Sequence, residues 1–211
     1  MDRRSLVVLS AGLGQPSSTR LLADRLAASA VEALAGRGVG TDVTVVEIRD
    51  VARDLADHLV ANATSPALRH ALDAVASADA VVAVTPVFAA SYSGLFKTFV
   101  DALDRDALTD VPVVVGATAG TQRHSLVLEH AMRPLFAHLR ALVLPTAVFA
   151  APEDWGGDAG PAGASRSGDA LSTRVDRAAG QLADVVAGRP ARRPHDPFDD
   201  APSFADLLSG R

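Results

Sequence analysis

The sequence contains no cysteine among its 211 residues. Disulfide bonds, thiolate nucleophiles and cysteine-ligated zinc or iron–sulfur centres are therefore excluded. Aromatic residues make up only 4% of the chain, although 48% of it is hydrophobic. The interior must accordingly be built from alanine, valine and leucine, which is typical of layered α/β proteins.

The chain also lacks an excess of positive charge and any long apolar run. Its formal net charge is −5, and no stripe of lysine and arginine stands out, so we expect no nucleic-acid partner. No apolar run reaches the roughly 18 residues of a membrane span. The apolar run at residues 6–9 is interpreted as a first strand, because a signal peptide needs a longer apolar core. We therefore expect a cytoplasmic protein that has no membrane partner.

Apolar runs alternate with helical patterns along the chain. The strands are almost continuously apolar, which indicates a parallel sheet covered by helices on both faces. Five such strands joined by right-handed crossovers predict an α/β, flavodoxin-like three-layer sandwich with strand order 2-1-3-4-5. The predicted strands are 5–10, 42–48, 78–84, 111–117 and 142–149, and the predicted helices are 19–35, 66–76, 93–103, 124–139 and 169–186.

The chain divides into one large domain and a tail. Residues 1–187 are long enough for a single domain with its own core. Residues 188–211 hold four prolines and mixed charge, which predicts a surface or disordered tail. In that tail Phe204, Leu207 and Leu208 have helical spacing and offer the alternative of docking on the body or on another subunit.

Hydroxyl groups cluster where the first strand gives way to a helix, in SAGLGQPSSTR at residues 10–20. A helix N-terminus with several added donors suits a terminal phosphate. The segment begins like a dinucleotide fingerprint, but it contains Pro16 and lacks the last glycine. The simpler alternative is that one serine only caps the helix. The candidate phosphate ligands are Ser17, Ser18, Thr19 and Arg20.

A second loop of small residues follows the third strand, in TPVFAASYSG at residues 85–94. Pro86 has no N–H, so the strand is expected to leave the sheet at Thr85. Val87 and Phe88 would then form the floor of a shallow pocket. The alternative is an ordinary connection in which Phe88 and Tyr92 are core aromatics.

A third loop, ATAGTQRH at residues 117–124, again places small and hydroxylic residues after a strand. In the predicted order the first, third and fourth strands are neighbours, so the three loops meet at one sheet edge. One loop suits a phosphate, and the other two suit the face and edge of a flat ring. The combination predicts a mononucleotide with a planar heterocycle, and FMN is the leading candidate.

Two segments resemble the NADPH-dependent FMN reductase family. They are TPVFAASYSGLFKTFVDAL and GATAGTQRHSLVLEHAMRPLFAHLRALVLPTAVFA. The similarity is greatest to the flavin-supplying reductases of two-component alkanesulfonate and methanesulfonate monooxygenases. It extends from residue 5 to about residue 186. The resemblance implies FMN as substrate or loosely held cofactor, NADPH or NADH as hydride donor, homodimers or homotetramers, and a partner flavin-dependent monooxygenase.

The resemblance also assigns roles to the three loops. The first would hold the FMN phosphate, the second would line the isoalloxazine, and the third would meet the ring edge through backbone N–H groups. No side chain is nominated as a catalytic acid or base, since the flavin supplies the chemistry. The family often has Thr-Gly-Gly where this chain has Thr-Ala-Gly, and its phosphate loop is spaced differently. The implied residues are Ser10, Ser17, Ser18, Thr19 and Arg20 in the first loop, Pro86, Val87, Phe88 and Ser91 in the second, and Thr118, Ala119, Gly120 and Thr121 in the third.

His130 falls where the alkanesulfonate-type reductases have a tyrosine in an inserted helical turn at their tetramer interface. The methanesulfonate-type enzymes resemble this chain in having histidine there. A one-residue insertion in a helix often forms a π-bulge, so we predict one near His130, close to a subunit interface. His124 and His138 lie six and eight residues from it, which does not place two ligands on one helix face, and no metal site is expected.

Three other functions remain open at this point. A quinone or azo reductase of the same fold would hold FMN tightly. A flavodoxin-like electron carrier would bind FMN without turnover. A dinucleotide-dependent dehydrogenase would use Glu47, at the end of the second strand, to hold a ribose, although Pro16 argues against it.

Overall fold

The computed structural model describes residues 3–155 and 170–192. Within them a seven-stranded sheet has the order β2-β1-β3-β5-β6, with β4 paired to β3 and β7 paired to β5. All neighbours are parallel except β4, which runs antiparallel to β3. The strands are β1 (Arg3–Ser10), β2 (Gly40–Glu47), β3 (Ala80–Phe88), β4 (Ser91–Tyr92), β5 (Pro112–Thr118), β6 (Leu142–Val143) and β7 (Val148–Ala150).

Helices cover both faces of this sheet. In the described part of the chain, no helix combines the length and apolarity needed to cross a membrane. The helices are α1 (Ser18–Ala35), α2 (Ala52–Ala61), α3 (Pro66–Ala76), α4 (Gly94–Asp101), α5 (Arg133–His138), α6 (Pro152–Trp155) and α7 (Leu171–Ala187), with 3-10 turns at Ile48–Val51 and Gln122–His124 and a π-helix at Leu128–Met132.

The parallel, flavodoxin-like sheet is confirmed, but the prediction of five strands in the order 2-1-3-4-5 is wrong. The predicted fifth strand is split into β6 and β7, which both pair with β5. Pro145 lies between them and has no N–H to continue a ladder. The additional strand β4 is the return arm of a short hairpin from β3.

The sequence suggested that the third strand leaves the sheet at Thr85, but it does not. It continues through Pro86 to Phe88, and Pro86 is in register with Thr118 of β5. On the other side, the pairing of β1 ends at Val84. Beyond that point β3 is locally an edge strand, where a proline is tolerated.

Alternating side chains of the central strands feed two separate cores. Val7 and Leu9 face one core, which α2 to α5 complete with Leu55, Leu68, Phe96 and Phe136. Leu6 and Val8 face the other, which α1 and α7 complete. Burying one such leucine contributes roughly 1.5–3 kcal/mol. The strands are thus apolar on both faces, which explains why the sequence shows continuous runs rather than alternation.

The predicted helix 124–139 is not continuous. It consists of a 3-10 turn, the π-helix and α5, so the π-bulge predicted near His130 is confirmed. Arg133 anchors this region, because it pairs with Glu129 and donates to the carbonyls of Leu144 and Pro145 at 3.0 and 3.1 Å. The His130 side chain is exposed.

After α7 the chain crosses the amino end of the sheet. Arg192 donates to the carbonyls of Ala76 and Ala107 at 2.8 and 2.9 Å. Arg4 donates to the Arg189 carbonyl at 2.6 Å. Most of the predicted tail 188–211, including Phe204, Leu207 and Leu208, lies outside the described residues.

Two alanines form the turn between β3 and β4. Ala89 and Ala90 have φ of 47° and 65°, and Phe88 pairs with Ser91 around them. Positive φ at both central positions is the signature of a type I′ hairpin turn, which normally takes asparagine and glycine. An L-residue with a Cβ is destabilised by roughly 1–2 kcal/mol in this left-handed backbone conformation.

Ala90→Gly is expected to raise the free energy of unfolding by up to about 1 kcal/mol, because relief of left-handed strain exceeds the extra chain entropy of glycine. Urea denaturation measures the change. The matched control is Ala28→Gly, at an exposed position inside α1, which should lower stability by about 0.5–1 kcal/mol. Equal losses of stability in the two variants would contradict left-handed strain at Ala90.

Candidate active site

Three contacts bring the three loops together at the carboxyl edge of the sheet. The Ala11 N–H donates to the Val84 carbonyl at 3.0 Å and joins the first loop to β3. The register of Pro86 with Thr118 joins the second loop to the third. The hydroxyls of Thr19 and Thr118 lie 2.7 Å apart and join the third loop to the first turn of α1. The loops therefore form one continuous surface.

The first loop ends in a capped helix. The Ser17 hydroxyl accepts from the Arg20 N–H at 3.2 Å, so Ser17 is the N-cap of α1. Its hydroxyl proton remains available to a ligand. Ser18 is exposed beside it. A Cβ added at Gly12 would lie 2.0 Å from the Ser17 hydroxyl oxygen, so a larger residue at position 12 would displace the Ser17 cap.

Thr19 has a different environment from its neighbours. Its side chain is buried, and its hydroxyl is within hydrogen-bond distance of the buried Thr118 hydroxyl. Either oxygen can donate to the other. Both residues thus hold the loops together at the base of the site.

Arg20 is turned toward two carboxylates. Its Nε donates to Asp24 at 2.7 Å, and its Nη1 pairs with Glu47. The hydrogen bond to Asp24, together with the charge of Glu47, raises the pKa of Arg20 above its ordinary value. Because Glu47 is engaged by Arg20, it does not present a free carboxylate for a ribose, which argues against the dehydrogenase.

The second loop presents an apolar surface beside the first. Pro86 is buried, whereas Phe88 is 48% exposed at the rim. Ser91 is half-buried opposite Phe88 in the hairpin. Tyr92 packs on Phe96, with ring centroids 6.1 Å apart. Phe88 is therefore the aromatic of this loop that a ring could stack on, whereas electron carriers of this fold usually sandwich the flavin between two aromatics.

The third loop offers backbone donors. The Ala119 N–H is used, because it donates to the Ala150 carbonyl at 3.2 Å. No group among the described residues accepts from the N–H of Gly120 or Thr121. A Cβ added at Gly120 would meet no described atom within 4 Å. Open space beside two N–H groups that have no acceptor among the described residues suits the edge of a carbonyl-bearing ring.

Ser10 lies beneath this surface at the end of β1. Its hydroxyl is fully buried, and no partner for it is found in residues 3–155 or 170–192. A buried hydroxyl without a partner is uncommon and calls for an explanation such as a ligand or an ordered water. It is one of the four hydroxyl-bearing residues in the first-loop set that the sequence assigned to a phosphate.

Sequence reasoning missed residues that shape the loops. The Thr85 hydroxyl accepts from the Ser93 N–H at 3.0 Å, and Ser93 caps α4. Arg49 donates to the Gly14 carbonyl at 3.1 Å. A serine before a helix is a readable signal for Ser93, but no local motif marks Thr85 or Arg49.

A cavity of about 620 Å³ lies at the opposite, amino end of the strands. Arg4, Asp79, Asp110 and Arg189 are among the residues that line it. Open α/β sheets bind ligands outside the carboxyl ends of their strands, so the three loops remain the candidate site. Across the described ranges, no group of three or more histidine, aspartate or glutamate side chains is placed to hold a metal ion.

Comparison with known proteins identifies close relatives. Residues 5–156 match the family described as NADPH-dependent FMN reductase. The chain is 39% identical to an FMN reductase (NADPH) of Pseudomonas aeruginosa over 71% of its own length and 78% of the relative's. It is also 39% identical to the NADH-dependent FMN reductase SfnE of Pseudomonas putida, over 69% of this chain and 76% of the relative.

The fold has a close counterpart among solved structures. An oxidoreductase from Corynebacterium diphtheriae superposes with a TM-score of 0.82 at 43% identity, and the match covers 90% of this chain and all of that one. The family match at residues 5–156 includes all three loops.

Loss of either hydroxyl from the Thr19–Thr118 pair should destabilise the protein. Thr19→Val or Thr118→Val leaves the other hydroxyl buried and unsatisfied, which costs about 1–3 kcal/mol. The double variant should lose clearly less stability than the sum of the two single-variant losses. Chemical denaturation measures all three.

The matched control is Thr98→Val. The wild-type Thr98 hydroxyl donates to the Gly94 carbonyl at 2.9 Å at an exposed site. It should change stability by no more than about 0.5 kcal/mol. Strictly additive losses for the two buried threonines would contradict their coupling.

Proposed function

The chain belongs to the NADPH-dependent FMN reductase family, and from this premise we propose that it reduces FMN with NADPH or NADH. The reduced FMN then passes to a partner flavin-dependent monooxygenase. FMN supplies the hydride-accepting chemistry when bound, and the protein supplies position and electrostatics.

The first loop is assigned to the phosphate. Ser17 and Ser18 donate hydroxyl protons to phosphate oxygens, and the free N–H groups and positive dipole end of α1 add to the attraction. Ser10 has a buried hydroxyl that still needs an acceptor. Thr19 secures the helix start from below, and Arg20 orders it through its carboxylate partners.

The second and third loops are assigned to the isoalloxazine. Pro86, Val87, Phe88 and Ser91 line one face of the ring. Thr118 ends β5, Ala119 is held to the Ala150 carbonyl, and the N–H groups of Gly120 and Thr121 that follow are assigned to the ring edge. Donors at this edge stabilise the negative charge that the ring gains on reduction. The opposite face stays open for the nicotinamide, and no side chain has to transfer a proton.

The observation that carries this proposal is the joining of the three loops at one edge. The phosphate loop is tied to the ring loops through the Thr19–Thr118 contact and through the alignment of Pro86 with Thr118. A mononucleotide placed there reaches hydroxyl donors with its phosphate and unused N–H groups with its ring. One group of phosphate donors beside one ring surface favours a flavin mononucleotide over a dinucleotide.

The proposal extends to assembly and location. We place the exposed side of the π-helix, with Glu129 and His130, in an interface of homodimers that pair into homotetramers. Exposed Leu126, with 62% of its surface accessible, supports this because it lies one turn before His130. A cytoplasmic location is proposed because NAD(P)H is supplied there.

Steady-state oxidation of NADPH and NADH with FMN, FAD and riboflavin tests the reaction and the phosphate assignment together. FMN should be reduced with a KM several-fold below that for riboflavin. Ser18→Ala should raise the KM for FMN about three- to tenfold, in keeping with one lost hydrogen bond of about 1 kcal/mol, and should leave riboflavin unaffected.

The matched control is Ser29→Ala on the same helix, where the hydroxyl bonds Asp176 on the exposed side. It should leave all constants at their wild-type values. Absence of an FMN-dependent rate would overturn the reductase assignment. A protein that stays fully yellow through extensive dialysis would contradict the supply of reduced FMN to a partner.

A further inference from the structure

Two charged residues at the end of the second strand and just after it make contacts that the proposed chemistry does not require. Glu47 ends β2, and its side chain is only 15% exposed. One of its carboxylate oxygens pairs with Arg20, and the other lies 3.1 Å from the Nε of Arg49. A single carboxylate thus joins the start of α1 to the chain that follows β2.

Arg49 continues this connection to the loop itself. Its Nη1 donates to the Gly14 carbonyl at 3.1 Å. In the amide orientation that satisfies both groups, the Gln15 oxygen accepts from Nη1 and Nη2 at 3.2 and 2.7 Å. The guanidinium therefore binds the backbone and a side chain of the loop while Glu47 holds its other edge.

The loop has few other restraints between Gly12 and Ser17. Residues 13–16 are exposed, so burial does not fix them. A planar guanidinium with donors on several edges fixes geometry better than a lysine does. The two arginines are also balanced by Glu47 and Asp24, so the group has little net charge with which to attract a phosphate from a distance.

We propose that Glu47 and Arg49 are positioning residues, which clamp residues 13–17 in the shape that presents Ser17 and Ser18 to the flavin phosphate. This inference rests on the proposed function. It makes preference for a phosphorylated flavin depend on two side chains that need not touch it. The ring is held by other loops, so the clamp should affect phosphate binding and not hydride transfer.

Arg49→Ala is the direct test. The KM for FMN should rise about tenfold, as expected for the loss of charge-assisted hydrogen bonds, while kcat with FMN and the KM for riboflavin stay within about twofold. Glu47→Gln keeps the side-chain volume and should shift the KM for FMN in the same direction. These readouts separate a positioning role from general loss of structure, which would also affect riboflavin.

Arg49→Lys distinguishes positioning from simple attraction. A lysine retains the charge but cannot bond Gly14, Gln15 and Glu47 together. Arg49→Lys should therefore show most of the increase in the KM for FMN that Arg49→Ala shows. The matched control is Arg3→Ala, which removes an exposed ion pair with Asp42 at the other end of the β1–β2 pair and should leave the ratio of the two KM values unchanged.

The outcomes separate the two proposals. No FMN-dependent oxidation by the wild type would remove the proposed function. A wild type that reduces FMN and riboflavin with equal KM would overturn the phosphate site and the clamp with it. A wild type that prefers FMN, together with Arg49→Ala or Arg49→Lys variants that keep this preference, would overturn the clamp alone. Thermal unfolding of each variant shows that the folded protein is being compared.

Discussion

The parallel register of β1, β3 and β5 is the constraint on which the rest of the structure depends. Ser10, Val84 and Gly116 are aligned across the three strands, so each strand delivers its following loop at the same edge. Both faces of these strands are buried, and a slip in register would displace side chains from both cores at once. The positions of the loops are therefore fixed by the apolar interior, although the loops themselves are polar.

Neutral hydroxyl contacts then refine what the sheet positions. The Thr19–Thr118 contact connects the end of β5 to the start of α1, and the Thr85–Ser93 contact connects β3 to the start of α4. Ser17 and Ser93 cap helices that begin at the edge of the site. Charged contacts lie outside this layer, at Arg20, Glu47 and Arg49. The inner surface thus keeps serine hydroxyls and backbone N–H groups for a ligand, as a site that binds an anionic phosphate and a polar ring requires.

Features set by local sequence could be predicted, and those set by distant contacts could not. Continuous apolar runs predicted the strands and their parallel arrangement, and the three loops followed from strand order. The split of the last strand and the continuation of β3 through Pro86 depend on which strand lies alongside each residue. A single sequence segment does not reveal that pairing. The Thr19–Thr118 contact joins residues 99 apart, and the contacts of Arg49 have no periodic pattern. The π-helix was expected because of family resemblance, since its residues alone read as an ordinary helix.

A crystal structure of the FMN complex tests the central claim most directly, that one sheet edge binds the phosphate at the first loop and the ring at the other two. The account predicts phosphate oxygens within about 3 Å of the Ser17 and Ser18 hydroxyls, with the ring between Phe88 and the N–H groups of Gly120 and Thr121. FMN bound instead in the cavity at the amino end, beside Arg4 and Arg189, or with its phosphate away from the first loop, would contradict it.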